Sequence, residues 1–295
     1  MKKEQLNRIR ADKGFVAALD QSGGSTPKAL ALYGVPQGSY PDDEAMFDLV
    51  HAMRTRIIMN DAFDGNHILG AILFEDTMDR LVGGEPTADY LWGRKRIVPF
   101  LKVDKGLIDM HNGVQLMRPM PGLEALLEKA VKANIFGTKM RSVIKEPNTA
   151  GIAEAVAQQF AVARRISMAG LIPILEPEVD IHCPQRHEAE VLLRTEVERH
   201  LAALDENTLV MFKFTIPEED NFYAGLLDDP HVVRIVALSG GFTQAEACER
   251  LARNTGLIAS FSRALLEGLR VDQTDEEFSA MLQASVAAVY AASIT

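Results

Sequence analysis

The chain has 295 residues, 47% of them hydrophobic and 24% charged, a balance typical of soluble globular proteins with enough apolar material for a sizeable core. A formal net charge of −10 excludes general nucleic-acid binding, which needs a basic face, but leaves room for an anionic substrate in a small basic pocket. No segment approaches the ~20 apolar residues of a membrane span, and the N-terminal MKKEQLNRIR lacks the apolar stretch of a signal peptide. No membrane partner and a cytoplasmic location are therefore expected.

Taken in chain order, apolar β-rich runs recur at 14–20 (GFVAALD), 67–74 (HILGAILF), 98–104 (VPFLKVD) and 136–141 (FGTKMR). An Ala-rich segment at 150–169 has helical spacing and Gly170 as its stop. A fifth strand at 171–179 (LIPILEPEV) precedes a helix over 185–204, then strands at 209–216 (LVMFKFTI) and 232–240 (VVRIVALSG). Thr243, with Glu246 three positions on, opens a helix to 253 with a capping-box pattern. A last strand at 257–262 (LIASFS) and an amphipathic helix at 275–293 complete the pattern. Near-continuous apolar runs are what parallel strands covered on both faces require.

Eight such strands alternating with helices predict an α/β protein, a (β/α)8 TIM barrel forming one domain over 1–295. An open doubly wound sheet is the rival, but no G-x-G-x-x-G turn follows the first strand. The chain has no linker or low-complexity tract to divide it.

Polar residues fall near the C-terminal strand ends, where barrels of this kind build their sites. Asp20 closes the first strand, while Lys102 and Asp104 lie on the third. Lys139 and Arg141 lie on the fourth, Glu176 and Glu178 on the fifth, Lys213 on the sixth. Ser239, Gly240 and Gly241 end the seventh, and Ser262 and Arg263 leave the eighth. Residues two apart on a strand share a face, about 7 Å apart. One lysine at a strand end reads as a solvated rim residue. Charges inside apolar runs on several strands, aimed at one mouth, do not, because an unpaired buried lysine costs too much.

The flanking residues of MFKFT (211–215) and the cations Lys102, Lys139 and Arg141 predict a depressed Lys213 pKa. A nucleophilic amine near neutral pH requires a drop from ~10.4 to ~7–8, about 4 kcal/mol. Lys213 is then fit to attack a ketone and form an imine. Glu176 is placed to shuttle protons during loss of water, and Asp20 to take the hydroxyl proton whose departure breaks a carbon–carbon bond.

LSGGFT (238–243) is a strand entering a Gly pair and a capped helix, an arrangement that offers backbone N–H groups to an anion. DQSGGSTPK (20–28) repeats the theme with Ser22, Ser25 and Lys28. One Gly-Gly usually marks only a turn; two at strand ends of one barrel fit a substrate phosphorylated at both ends, with Arg263 supplying charge. The histidines (His51, His67, His111, His187, His200, His231 and His182 beside Cys183) show no ligand spacing, so no metal is expected. Cys183 and Cys248 form no paired motif and read as buried thiols.

These residues resemble those of class I fructose-1,6-bisphosphate aldolases, particularly the short bacterial form. The likeness covers about residues 10–293 and rests on GFVAALDQSGGSTPKAL, LGAILFEDTMDR, VPFLKVDKG, GTKMRS, PILEPEV, VMFKFTIP, LSGG and SFSRAL in order. It implies a metal-free carbon–carbon lyase of glycolysis and gluconeogenesis acting on a sugar phosphate, with no cofactor beyond the covalent Schiff base. Lys213 matches the Schiff-base lysine, Glu176 the carboxylate of imine formation and Asp20 the group handling the C4 hydroxyl proton. Lys139 matches the lysine near the reacting hydroxyls, with Lys102, Arg141 and Glu178 in its charge network. Ser239, Gly240, Gly241 and Arg263 match one phosphate site; Ser22, Ser25 and Lys28 resemble the other. The longer animal enzymes carry an Arg after the position of Lys28, where this chain has Ala29, and two extra residues before the position of Arg263. They also end in a tyrosine-bearing tail, whereas this chain stops at Thr295 after a helix containing Tyr290. The group that protonates the enamine is left open among Tyr290, another side chain and water. An imine-forming aldolase for another phosphorylated sugar and a non-catalytic sugar-phosphate-binding barrel remain as alternatives, as does homo-oligomerisation.

Overall fold

A computed structural model describes residues 3–295. Its parallel strands are β1 Phe15–Leu19, β2 Ile68–Leu73, β3 Val98–Lys102, β4 Gly137–Ile144, β5 Ile172–Val179, β6 Val210–Thr215, β7 Val232–Leu238 and β8 Ile258–Ala259. They pair in chain order. The Ala18 N–H donates to Phe261 O at 3.2 Å, which brings the last strand back to the first and makes the sheet a barrel. The helices are α1 Lys3–Ala11, α2 Thr26–Leu32, α3 Asp43–Met59, α4 Glu75–Asp79, α5 Thr87–Lys95, α6 Leu123–Lys132, α7 Thr149–Met168, α8 Arg186–Leu201, α9 Gln244–Leu251 and α10 Asp275–Ala292.

All eight expected strands are present, each within a few residues of its sequence bounds. Of the helices, α7 to α10 match the sequence pattern. The Thr243 box closes as expected, with Glu246 Oε2 accepting from Thr243 N at 3.1 Å. The sequence pattern does not mark helices α1 to α6. α2 and α4 are too short for a periodic signal, and α3 interrupts its buried stripe of Met46, Val50, Met53 and Ile57 with Arg54.

Alternation along each strand builds two cores. Outward residues such as Leu19, Leu101, Leu175, Phe212 and Phe214 pack under the helices. Inward residues Val16, Ala18, Val98, Phe100, Ile172, Ile174 and Met211 fill the barrel, whose N-terminal end is closed by Leu6 and Ile9 of α1. Each fully buried side chain of this size contributes about 1.5–3 kcal/mol. Continuing inward positions toward the C-terminal ends, apolar residues give way to charge. Val98 and Phe100 lead to Lys102, Ile172 and Ile174 to Glu176 and Glu178, and Met211 to Lys213. Apolar filling at one end and solvent at the other leave the charged side chains a single place to converge.

Candidate active site

The mouth is a cavity of about 520 Å³ at the C-terminal strand ends. Among the lining residues are Asp20, Ser22, Ser25, Lys28, Lys102, Lys139, Arg141, Glu176, Glu178, Lys213, Ser239, Gly240 and Arg263. Gly241 lines an adjoining, largely apolar cavity of about 400 Å³. Every other site residue expected from sequence thus faces one space.

At its floor, buried ion pairs run from strand to strand. Lys213 Nζ lies 3.2 Å from Glu176 Oε1. Lys139 Nζ lies 2.9 Å from Glu176 Oε2 and 2.7 Å from Asp20 Oδ2. Lys139 and Lys213 are only 3% and 4% exposed, so water screens these contacts little. Beside them Arg141 Nε meets Glu178 Oε2 at 2.5 Å, and Lys102 Nζ meets Asp104 Oδ1 at 2.7 Å.

The chain of pairs fixes protonation. Burial pushes the Asp20 carboxyl upward, but Lys139, Lys213 and Lys102 outweigh it and hold it well below the usual carboxylate range. Burial likewise raises Glu176, and Lys139, Lys213 and Arg141 pull it below its ordinary value, against the Asp20 charge. Burial alone lowers Lys139, yet Asp20, Glu176 and Asp104 raise it above that of a free lysine. At neutral pH the floor therefore holds anionic Asp20 and Glu176 around cationic Lys139.

The setting of Lys213 differs from the sequence argument in two ways. Phe212 and Phe214 do not surround it, because alternation turns them into the outer core, where their rings stack at 5.2 Å and Phe214 stacks on Tyr223 at 4.2 Å. They pin β6 from behind. Its cationic neighbours are also interleaved with carboxylates, and the partner in contact is Glu176. A count of positive charges along the strands misses those anions.

On one rim, β7 runs into Ser239, Gly240 and Gly241. Gly240 has φ +62°, and a Cβ there would meet Ile181 Cγ2 at 2.5 Å, so only glycine fits. An Arg263 nitrogen lies 3.7 Å from where a Gly241 Cβ would stand, which places the guanidinium at this turn. On the other rim a 3-10 turn, Gly23–Ser25, links β1 to α2. Ser25 Oγ donates to Ser22 O at 2.9 Å and accepts from Ser22 N at 3.0 Å, so this hydroxyl is engaged in its own turn.

Asp104, marked in the sequence only as a strand-end charge, and Gln21, which the sequence does not mark, also line the mouth. Asp104 Oδ1 accepts from Lys102 Nζ and from Gly106 N at 3.3 Å; its parity with Lys102 was the available signal. Gln21 Nε2 donates to Ser262 Oγ at 2.5 Å, joining the ends of β1 and β8. Tyr290, by contrast, is not at the mouth. Its ring meets His67 edge-on at 4.9 Å, and His67 directly precedes β2 at the opposite end, a strand length of about 20 Å away. Among the described residues no group of three His, Cys, Asp or Glu is arranged to hold a metal ion, and no helix is long and apolar enough to cross a membrane.

Comparison with known proteins identifies the family. The family profile described as fructose-bisphosphate aldolase class-I matches residues 6–206. The fructose-bisphosphate aldolase class 1 of Clostridium acetobutylicum is 60% identical over 295 residues, covering all of both chains. That of Synechocystis sp. is 58% identical over 292 residues, covering 99% of this chain and 97% of its own. The fold is similar to that of a solved fructose-bisphosphate aldolase from Plasmodium falciparum, with a TM-score of 0.76, 18% identity and coverage of 99% of this chain and 94% of the other. The chain belongs to the class I fructose-bisphosphate aldolases.

Proposed function

We propose that the chain cleaves fructose 1,6-bisphosphate reversibly to dihydroxyacetone phosphate and glyceraldehyde 3-phosphate through an imine on Lys213. The observation that carries this reading is the run Lys213–Glu176–Lys139–Asp20, with contacts of 3.2, 2.9 and 2.7 Å at the cavity floor.

Lys213 Nζ attacks the C2 ketone, forming the N–C2 bond as the carbonyl π pair moves onto oxygen, which takes a proton from solvent to become a hydroxyl. The proton released from nitrogen passes to Glu176, within hydrogen-bond reach of Nζ. Glu176 then returns that proton to the departing hydroxyl, which leaves as water. With the cationic imine as electron sink, anionic Asp20 takes the C4 hydroxyl proton. The O4 electrons become the new carbonyl, the C3–C4 pair flows into the imine, and the aldehyde departs. Protonation of the enamine at C3 and addition of water release the ketone and restore Lys213. Lys139 acts as the fixed cation between the two carboxylates, so each stays anionic until its turn. Ser239, Gly240, Gly241 and Arg263 hold the phosphate nearer C2, because β7 adjoins β6; Ser22 and Lys28 hold the far one, on the turn that Ser25 braces. Lys102, Arg141 and Glu178 orient the hydroxyls between. No step requires a metal.

The test is Lys213→Ala. Cleavage is lost while fructose 1,6-bisphosphate still binds by calorimetry, and the unaltered protein keeps its activity in excess chelator. Full cleavage by the variant would sink the imine mechanism, and a clear preference of the unaltered protein for fructose 1-phosphate would overturn the bisphosphate assignment.

A further inference from the structure

Arg54 has no part in the chemistry above, yet it is fully buried, reaching from α3 to the back of the mouth. Its Nη1 donates to Thr77 Oγ1 at 2.7 Å, itself a fully buried residue of α4. Its Nη2 donates to the backbone oxygen of Gln21 at 2.5 Å and reaches Gln21 Oε1 at 3.3 Å. Gln21 then spans the barrel seam to Ser262. A continuous run of hydrogen bonds thus joins α4, α3, the turn after β1 and the exit of β8.

The two ends of that run matter. Gln21 directly precedes Ser22 and opens the segment carrying Ser25 and Lys28, and Ser262 directly precedes Arg263. The run therefore ties the two phosphate-facing rims together behind the cavity. An apolar side chain would fill the space without the desolvation cost of a buried guanidinium. A guanidinium offers a rigid planar fork that holds two acceptors in fixed relation. Burial lowers the Arg54 pKa to about 10, against the opposing charges of Asp20 and Asp76, and the guanidinium stays cationic at neutral pH. Its position on the buried stripe of α3, between Val50 and Ile57, leaves the fork no solvent-facing alternative.

We propose that Arg54 is a positioning residue that, through Gln21 and Ser262, sets the separation of the two phosphate-binding rims, and so sets preference for a substrate phosphorylated at both ends. This rests on the reading in the preceding section. Fructose 1-phosphate keeps the phosphate beside C2 and lacks the far one, so it needs only one rim; the bisphosphate needs both at the right distance. A misplacement of about 1 Å is enough to cost a reaction up to about 100-fold.

The experiment compares kcat and KM for both substrates in the unaltered protein, Arg54→Met and Gln21→Met. In Arg54→Met, kcat/KM for fructose 1,6-bisphosphate falls by roughly tenfold or more, chiefly through KM, and that for fructose 1-phosphate falls far less, so the preference ratio collapses. A merely structural role lowers both in parallel and leaves the ratio intact, which overturns the proposal. Gln21→Met keeps the volume, leaves the backbone acceptor for Arg54 and cuts the link to Ser262. It moves the ratio in the same direction, and it decides the matter alone if Arg54→Met does not fold. Loss of bisphosphate cleavage in the unaltered protein would instead refute the underlying assignment of function; normal cleavage there with unchanged ratios in the variants refutes only the role of Arg54 and Gln21.

Discussion

Replacing Lys139 by methionine keeps an unbranched side chain one atom shorter and removes its charge, leaving Asp20 and Glu176 buried without the cation that touches both at 2.7 and 2.9 Å. Breaking a buried pair from one side costs about 3–5 kcal/mol, because the remaining charge is uncompensated. With an unfolding entropy of about 2.1 cal/mol/K per residue, 295 residues give about 0.6 kcal/mol per kelvin and a fall in Tm of about 5–8 K at pH 7. The pH dependence has a definite sign. In the unaltered protein Asp20 and Glu176 lie below their ordinary values of 3.8 and 4.5, so their stabilisation is present above those values and is lost as the pH falls. In the variant burial dominates and raises both carboxyls, so protonation relieves the penalty as the pH falls toward those ordinary values. The Tm gap therefore narrows between pH 7 and about pH 4. Lys139 adds the opposite limb, stabilising below its ordinary 10.5 and losing that contribution only as the pH rises through its elevated value. Thermal unfolding followed by circular dichroism at both pH values measures the gap. A gap independent of pH, or none at pH 7, would refute the claim that Lys139 compensates these two carboxylates. Turnover falls by roughly 100- to 10,000-fold in the same variant, the usual range for a disrupted proton-transfer site.

Tyr290→Phe leaves kcat within about twofold, since its ring sits against His67 at the far end of the barrel; a large loss in steady-state turnover would contradict that placement. Gly240→Ala puts a methyl group 2.5 Å from Ile181 Cγ2 at a position with φ +62°, costing about 1–3 kcal/mol of strain. The turn yields first, so KM for the bisphosphate rises by about tenfold, as does the inhibition constant of inorganic phosphate, with kcat less affected. Unchanged KM would remove this turn from phosphate binding.

The strands and the mouth were legible in the sequence because both follow from alternation. A parallel strand buried on two faces is an apolar run, and the charges that interrupt its inward positions near the C-terminal end converge by closure of the barrel. That reasoning found Asp20, Lys139, Glu176 and Lys213 together. It failed where a side chain's neighbours come from other elements. Phe212 and Phe214 adjoin Lys213 in sequence and face away from it in space. Glu176, one strand over, is the group that touches it. Nothing in the sequence around Arg54 marks its partners, and only the placement of α3 against the turn after β1 reveals its two acceptors. Tyr290 is distinguished from a mouth residue only by knowing which end of the barrel α10 reaches. The engagement of Ser25 with its own turn depends on a rotamer that no spacing encodes.

The central claim is that carbon–carbon cleavage passes through an imine on Lys213. Incubation with fructose 1,6-bisphosphate, reduction with borohydride and peptide mass mapping test it directly. One covalent adduct on the peptide containing Lys213, absent without substrate, is the predicted result. An adduct on Lys139 or Lys102, or substrate turnover with no adduct at all, would contradict it.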